Sequence, residues 1–323
     1  MTPKTKGRFI LLQMLLCVCL IFCSCGSNES TEKPSAVSSD TAAKDSSPAT
    51  TDAAGSRDNT PVVLTGSADG TVTYGNDSVT VDASHTEEGY LMVSYSGSNS
   101  KVKLQITGSD EITYTYNLHD GYETFPLTSG SGSYTVGVFE NIEGTSYSTL
   151  FTQAIDVTIQ DEFGPYLYAN QYVNFSADSK VISKAMELSA SANDDLEVIE
   201  NVYNYIITNF TYDYDKAASV QSGYLPNVDE VLASQTGICF DYAAVMASML
   251  RCERIPTRLE VGYMGDVYHA WISTYIKDKG WVNGIIEFDG NDWKLMDPTF
   301  ASTSSDPKDF LTQTDEYITK YVY

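Results

Sequence analysis

Basic residues are scarce in this chain: 19 Lys and Arg stand against 43 Asp and Glu over 323 residues. Nucleic acid is bound by neutralising phosphates, so this balance argues against a nucleic-acid partner and against direct adhesion to anionic headgroups. Cysteine is scarce where it matters. Cys17, Cys19, Cys23 and Cys25 crowd the start of the chain and leave only Cys239 and Cys252 for its body. On one helix those two stand about 20 Å apart, whereas a disulfide holds its Cα atoms within about 7 Å. A disulfide scaffold is excluded, and both are expected as free thiols. Histidine is limited to His85, His119 and His269. The first two lie near turns without ligand-spaced partners, and His269 has no closely spaced Cys or Asp beside it. No metal and no cofactor is therefore expected.

What is present begins with an export signal. Lys4, Lys6 and Arg8 precede an apolar run over 9–23 broken only by Gln13, which is too short for a comfortable membrane span. Phe22-Cys23-Ser24-Cys25 resembles a bacterial lipobox, which implies that Cys25 carries lipid and becomes the first mature residue. A plain secretory signal or a short anchor helix is the alternative. On either reading the chain beyond residues 1–25 is extracytoplasmic, and on the first it is lipid-anchored to the bacterial cell membrane. Residues 26–60 are Ser, Thr, Ala, Asp and Lys with almost nothing to bury, which predicts a disordered tether.

From 61 to 175 the texture changes to short alternating runs between Gly, Ser, Asn and Asp. Tyr90-Leu91-Met92-Val93-Ser94-Tyr95 and Lys101-Val102-Lys103-Leu104-Gln105-Ile106 are two of them. Period-2 patterning with turn signals about every ten residues predicts an all-β, immunoglobulin-like sandwich. No Cys…Trp…Cys spacing accompanies it, so the expectation concerns architecture alone. Its many tyrosines are read as strand residues with one half-buried face, with carbohydrate or peptide contact as the competing reading.

From 176 to 323 the period becomes helical. Val181, Ile182, Ala185, Met186 and Leu188 make one short amphipathic stretch. After Asn193-Asp194-Asp195, an N-terminal signal, Leu196, Ile199, Val202, Tyr203, Ile206, Ile207 and Phe210 make a longer one. Thr211-Tyr212-Asp213-Tyr214-Asp215 closes it, and a polar loop leads to a short helix over 228–233. An apolar, small-residue helix over 239–254 belongs in the middle of a domain and ends before Pro256. Strands are expected over 257–263, 268–272, 280–283, 287–288 and 292–297, completing one sheet on that helix, an α+β order. The tail over 301–323 is expected to pack as a terminal helix or to cover part of the site.

The chemistry gathers on three segments. In Thr236-Gly237-Ile238-Cys239-Phe240-Asp241, a glycine turn delivers Cys239 to a helix start, where unpaired N–H groups and the helix dipole favour a thiolate. Tyr268-His269-Ala270-Trp271 and Trp293-Lys294-Leu295-Met296-Asp297-Pro298-Thr299 come next, in that order. Cys239, His269 and Asp297 make a candidate nucleophile, base and orienter. Their ordinary readings are a core cysteine, a strand histidine and a turn aspartate. The Cys239 N–H is a candidate oxyanion donor, with Tyr212, Tyr214 and Gln235 left open as its companion. Asp241 is read as a first-turn acid facing the helix dipole, with orienter of the imidazole as its competing role.

On these three motifs, the segment over 195–300 resembles the transglutaminase-like superfamily of papain-like thiol enzymes. The resemblance implies a papain-like α+β catalytic fold in which Cys239 attacks an acyl group, His269 transfers the proton and Asp297 orients the imidazole. It covers about a third of the chain and leaves the sandwich unaccounted for. No calcium-loop signature of the large animal cross-linking enzymes is visible, and the family holds members that hydrolyse, members that cross-link and members without the triad. The expectation is a cell-surface thiol enzyme acting on peptide or glutamine amides through a thioester. Hydrolysis, as a cysteine peptidase or amidase, is favoured slightly over cross-linking. The rival is a non-catalytic surface module binding a wall polymer or protein.

Overall fold

The computed structural model describes residues 55–283, 285–288, 293–296 and 317–323. All belong to one compact unit, Thr51–Tyr323. The leader with Cys25, most of the tether, and Asp297 lie outside the described residues.

Eight strands come first: β1 (Thr73–Gly75), β2 (Val79–Asp82), β3 (Tyr90–Tyr95), β4 (Val102–Thr107), β5 (Thr113–Leu118), β6 (Gly121–Pro126), β7 (Gly132–Glu143) and β8 (Ser146–Val157). They form two antiparallel sheets, ordered β1-β2-β3-β6 and β5-β4-β7-β8. The period-2 pattern is the cause. On β4, Val102, Leu104 and Ile106 are buried while Lys103 and Gln105 are not, and Val79, Val81, Leu91 and Val93 join the same core from the other sheet. The expectation of a β-sheet region before the helices is met.

The helices follow as α1 (Lys180–Ser189) and α2 (Asp195–Asn209), then the short strand β9 (Thr211–Tyr212), α3 (Tyr214–Ser219), α4 (Val228–Ser234), β10 (Thr236–Gly237) and α5 (Cys239–Cys252). Asp194 caps α2 by accepting the Glu197 N–H at 2.9 Å, and Asn227 caps α4 through the Glu230 N–H. From Tyr242 to Cys252 every residue of α5 is buried. Ala243, Ala244 and Ala247 let neighbours approach, and Met246, Met249 and Leu250 fill the space, each contributing about 1.5–3 kcal/mol by burial. Arg254, at φ 64, turns the chain out of the helix ahead of Pro256.

The remaining strands are β11 (Thr257–Met264), β12 (Val267–Ile276), β13 (Gly280–Asn283), β14 (Ile285–Phe288), β15 (Trp293–Met296) and β16 (Tyr317–Val322). Two expectations are corrected here. β14 and β15 pair with each other rather than extending the sheet on α5, whose order is β13-β12-β11-β16. And the described end of the tail is an edge strand, not a helix. It pairs with β11 from Met264 to Glu260 and continues through Tyr323, whose N–H and oxygen exchange bonds with Leu259.

Two arginines tie the parts together. Arg251, 1 % exposed, donates to the Thr257 oxygen at 2.8 and 3.0 Å, to Tyr168 at 2.7 Å and to Tyr323 at 2.8 Å. It thereby joins α5 to β11, to the connector after β8 and to the chain's last strand. Burial pushes its pKa down to about 9. Arg57 belongs to the stretch read as a tether, yet it pairs with Asp195 at 2.7 Å and with buried Glu253 at 3.0 Å. Residues 55–60 lie against α1, α2 and the end of α5, since Ser56 and Asn59 also bond Asn193 and Ala192. Low hydrophobicity hid this segment because its anchors are charges and amides.

Candidate active site around Cys239

The residues before Cys239 are held by a two-residue parallel ladder, Thr236 with Thr211 and Gly237 with Tyr212. The Asp213 N–H donates to the Gly237 oxygen at 2.9 Å and extends it. Ile238 is extended (φ −105°, ψ 176°), and helical geometry begins at Cys239. Asp241 fixes this start: its Oδ2 accepts the Ile238 N–H at 2.8 Å, one of the donors a helix leaves orphaned. Gly237 is required by the same carboxylate. A Cβ there would lie 2.7 Å from the Asp241 Cβ and 2.9 Å from its Oδ2.

Asp241 is fully buried and does more than cap. Lys216 Nζ donates to its Oδ2 at 2.6 Å, and the Tyr224 hydroxyl donates to its Oδ1. Lys216 also donates to the Tyr224 oxygen at 2.7 Å, with its ammonium 4.4 Å from the Tyr224 ring centroid. Burial alone would lower the Lys216 pKa, but Asp241 and Tyr224 outweigh it and raise it. The strap between α3 and α4 is thus fastened to the helix end that carries the thiol. The expected first-turn acid is a charged, partnered cap.

His269 lies on β12 opposite Gly262 of β11. It is 4 % exposed, and its ring stacks on Trp271 at 6.2 Å between centroids. Gly262 sits at a register shift between β11 and β16, where an added Cβ would stand 2.0 Å from the Ile318 oxygen. The absence of a side chain there lets the last strand close against the one facing His269.

Cys239 and His269 line one cavity of about 600 Å³. Cys239 is partly exposed and a free thiol, whereas Cys252 is buried. Burial pushes the Cys252 thiol up to about 12, and its sulfur donates to the Met249 oxygen. Of the three oxyanion candidates, Tyr212 alone lines the cavity. Burial first, and then its nearness to Cys239, push its hydroxyl up to about 12. Tyr214 is 67 % exposed, and Gln235 directs its amide to the Tyr205 hydroxyl at 3.4 Å, so neither is brought to the thiol. The cavity's other walls left no sign in the sequence: Thr115 from β5, Tyr172 from the connector, the strap with Tyr224, and Tyr321 and Tyr323 from the tail. Only the expectation that the tail covers part of the site pointed there.

Over residues 182–284 the chain matches the family model of the transglutaminase-like superfamily. It carries a transglutaminase-like superfamily domain. That domain takes in α5, β11 and β12, hence Cys239 and His269, and excludes both the eight-stranded region and β16. A UPF0252 protein of Methanocaldococcus jannaschii is 28 % identical over 89 residues, which cover 26 % of this chain and 24 % of that protein. The chain thus spans about a quarter of that relative's length. Among solved structures, a candidate cysteine protease from Cytophaga hutchinsonii is similar at 16 % identity and a TM-score of 0.36, covering 78 % of this chain and 74 % of that one. Red sea bream transglutaminase is similar at 14 % identity and a TM-score of 0.30, covering 67 % and 48 %.

Proposed function

We propose that this protein is an extracytoplasmic thiol enzyme that cleaves peptide or glutamine amide bonds through a thioester on Cys239. One observation carries the reading: Cys239, at the first position of a buried helix, and His269 line the same cavity within the transglutaminase-like domain. The helix terminus favours the thiolate, and an imidazolium beside it favours it further. The Cys239 sulfur attacks the amide carbonyl carbon, while His269 holds the thiol proton and passes it to the departing amine. The Cys239 N–H and the hydroxyl of Tyr212, which lines the same cavity, are the two donors we assign to the developing oxyanion. Asp297 is the proposed orienter of His269, by its place in the sequence after Trp293-Lys294-Leu295-Met296. Water then opens the thioester to the acid, or a lysine amine opens it to an amide. We favour hydrolysis, because water needs no second binding site.

The same reading places the protein outside the cytoplasm, lipid-anchored through Cys25, with a peptide or protein substrate. We read its first domain as an immunoglobulin-like sandwich. Support comes from the chain passing between the two sheets from β3 to β4, β5 to β6 and β6 to β7. The Tyr134 hydroxyl near the start of β7 also donates to the Gly130 oxygen at 2.8 Å, as a tyrosine corner does.

The test is acyl transfer to hydroxylamine. With a mixed peptide digest as acyl donor, the full chain should release hydroxamate and Cys239→Ala should not, at unchanged circular dichroism. Undiminished hydroxamate from that variant contradicts the proposal.

A further inference from the structure

The cavity at Cys239 departs from the rest of the molecule in its chemistry. In a chain with 43 acidic residues, no Asp, Glu, Lys or Arg is among the described residues lining it. Its walls are aromatic instead. Tyr172, Tyr212, Tyr224, Tyr268, Tyr321 and Tyr323 converge on it from the connector, β9, the strap, β12 and the tail, and Phe240 lies beside the thiol.

These rings are not simply core. Tyr323 is buried, but Tyr172, Tyr212, Tyr224, Phe240 and Tyr321 are half-buried and Tyr268 is 58 % exposed, so ring surface is left open to the cavity. They are also fixed in place. Tyr172 stacks on Tyr323 at 3.9 Å and packs on Phe240 at 5.5 Å, Tyr268 meets Tyr263 edge-on at 5.4 Å, and Tyr224 is held by Lys216 and Asp241. Such a site offers π faces and ring edges without having to order them first. Away from Cys239 and His269, a charged side chain entering it would lose water and find no Asp, Glu, Lys or Arg in the described walls to pair with.

We propose that this cavity is a subsite for an uncharged aromatic side chain of a peptide, next to the bond that Cys239 attacks. The inference rests on the proposed thiol chemistry for the word "next", but not for the binding itself. It makes the first domain part of the site, because Thr115 of β5 stands in the wall. The strap and that domain also meet directly: a Cβ on Gly223 would lie 2.6 Å from the Asn117 amide nitrogen.

The test uses three thiol reagents on the full chain, with Cys239 labelling read by peptide mass spectrometry. These are iodoacetamide, its N-phenyl derivative and the N-(4-carboxyphenyl) derivative. In each case the thiolate displaces iodide and forms the C–S bond. Relative to iodoacetamide, and compared with the urea-unfolded chain, the phenyl reagent should react at least about fivefold faster and saturate. The carboxyphenyl reagent should lose that advantage, and Thr115→Arg should reduce it. Saturation-transfer NMR on Cys239→Ala reads the subsite without the thiol. N-acetylphenylalaninamide should show transfer, while N-acetylaspartamide and methyl glucoside should not. Rate ratios equal to those of the unfolded chain, together with no preference by NMR, would overturn the subsite while leaving fast iodoacetamide labelling, and the thiol chemistry, intact. An inert Cys239 with clear transfer from the aromatic ligand would overturn the thiol chemistry and support the subsite.

Discussion

Cys239 and Cys252 begin and end one helix, the first partly exposed at the cavity and the second buried. Cys252, pushed up to about 12 by burial, should resist alkylation in the native protein and label only on unfolding. Arg251 beside it satisfies three main-chain oxygens without a carboxylate partner among the described residues, so Arg251→Met leaves those oxygens buried and unmet. We expect a loss of roughly 3 kcal/mol or more, read as a lower urea midpoint. His85 gives the pH dependence. Burial would lower its pKa, but Asp69 at 2.9 Å and Glu88 at 3.0 Å outweigh it and raise it above 6.5. A cation favoured in the folded state adds stability below the unfolded value and loses it as pH rises through the folded one. Stability should therefore fall from pH 6 to 8 more steeply in the natural chain than in His85→Gln. At this scale Cys239 and His269 were legible, since residue type, order and neighbours announce them. Tyr212 was left tied with Tyr214 and Gln235, because a two-residue parallel ladder between β9 and β10 leaves no periodic trace.

Elements were legible where burial sets the pattern. The stripes of α1 and α2, the alternation of β4, and the small apolar residues of α5 each carry their period in the sequence. Elements set by single polar contacts were not. α3 is six residues long, and its start rests on Asp213 accepting the Lys216 N–H. The tail was expected as a terminal helix or as a cover for part of the site; the strand β16 itself was not expected, because its partner β11 lies more than 50 residues away. Two substitutions test what holds these pieces. Lys216→Met leaves the Asp241 carboxylate buried without its cation, which should cost roughly 2–3 kcal/mol after allowing for the partial exposure of Lys216. It should also raise proteolysis within 220–224. Gly262→Ala forces a methyl onto the Ile318 oxygen, so β16 should exchange its amide hydrogens faster than in the natural chain.

At the scale of the whole molecule, the β region, the helices and the last strand share one connected core. Composition draws domains in series along the chain. It could not draw their contacts, because those run through Arg57, Arg251 and Tyr323, residues ordinary in type and distinguished only by their partners. Unfolding monitored by tyrosine fluorescence and by far-ultraviolet circular dichroism should coincide. Arg57→Ala should lower that common midpoint, since Glu253 then stays buried without its partner. The central claim is that this assembly presents an activated thiol at Cys239. The most direct measurement is the iodoacetamide alkylation rate of Cys239 in the full chain from pH 4 to 10, with Cys252 as internal control, repeated on His269→Ala. The account predicts fast labelling well below pH ~8.5, the ordinary thiol range, that is lost in the variant. Labelling that tracks an ordinary thiol titration and ignores His269, or none in the folded protein, would contradict it.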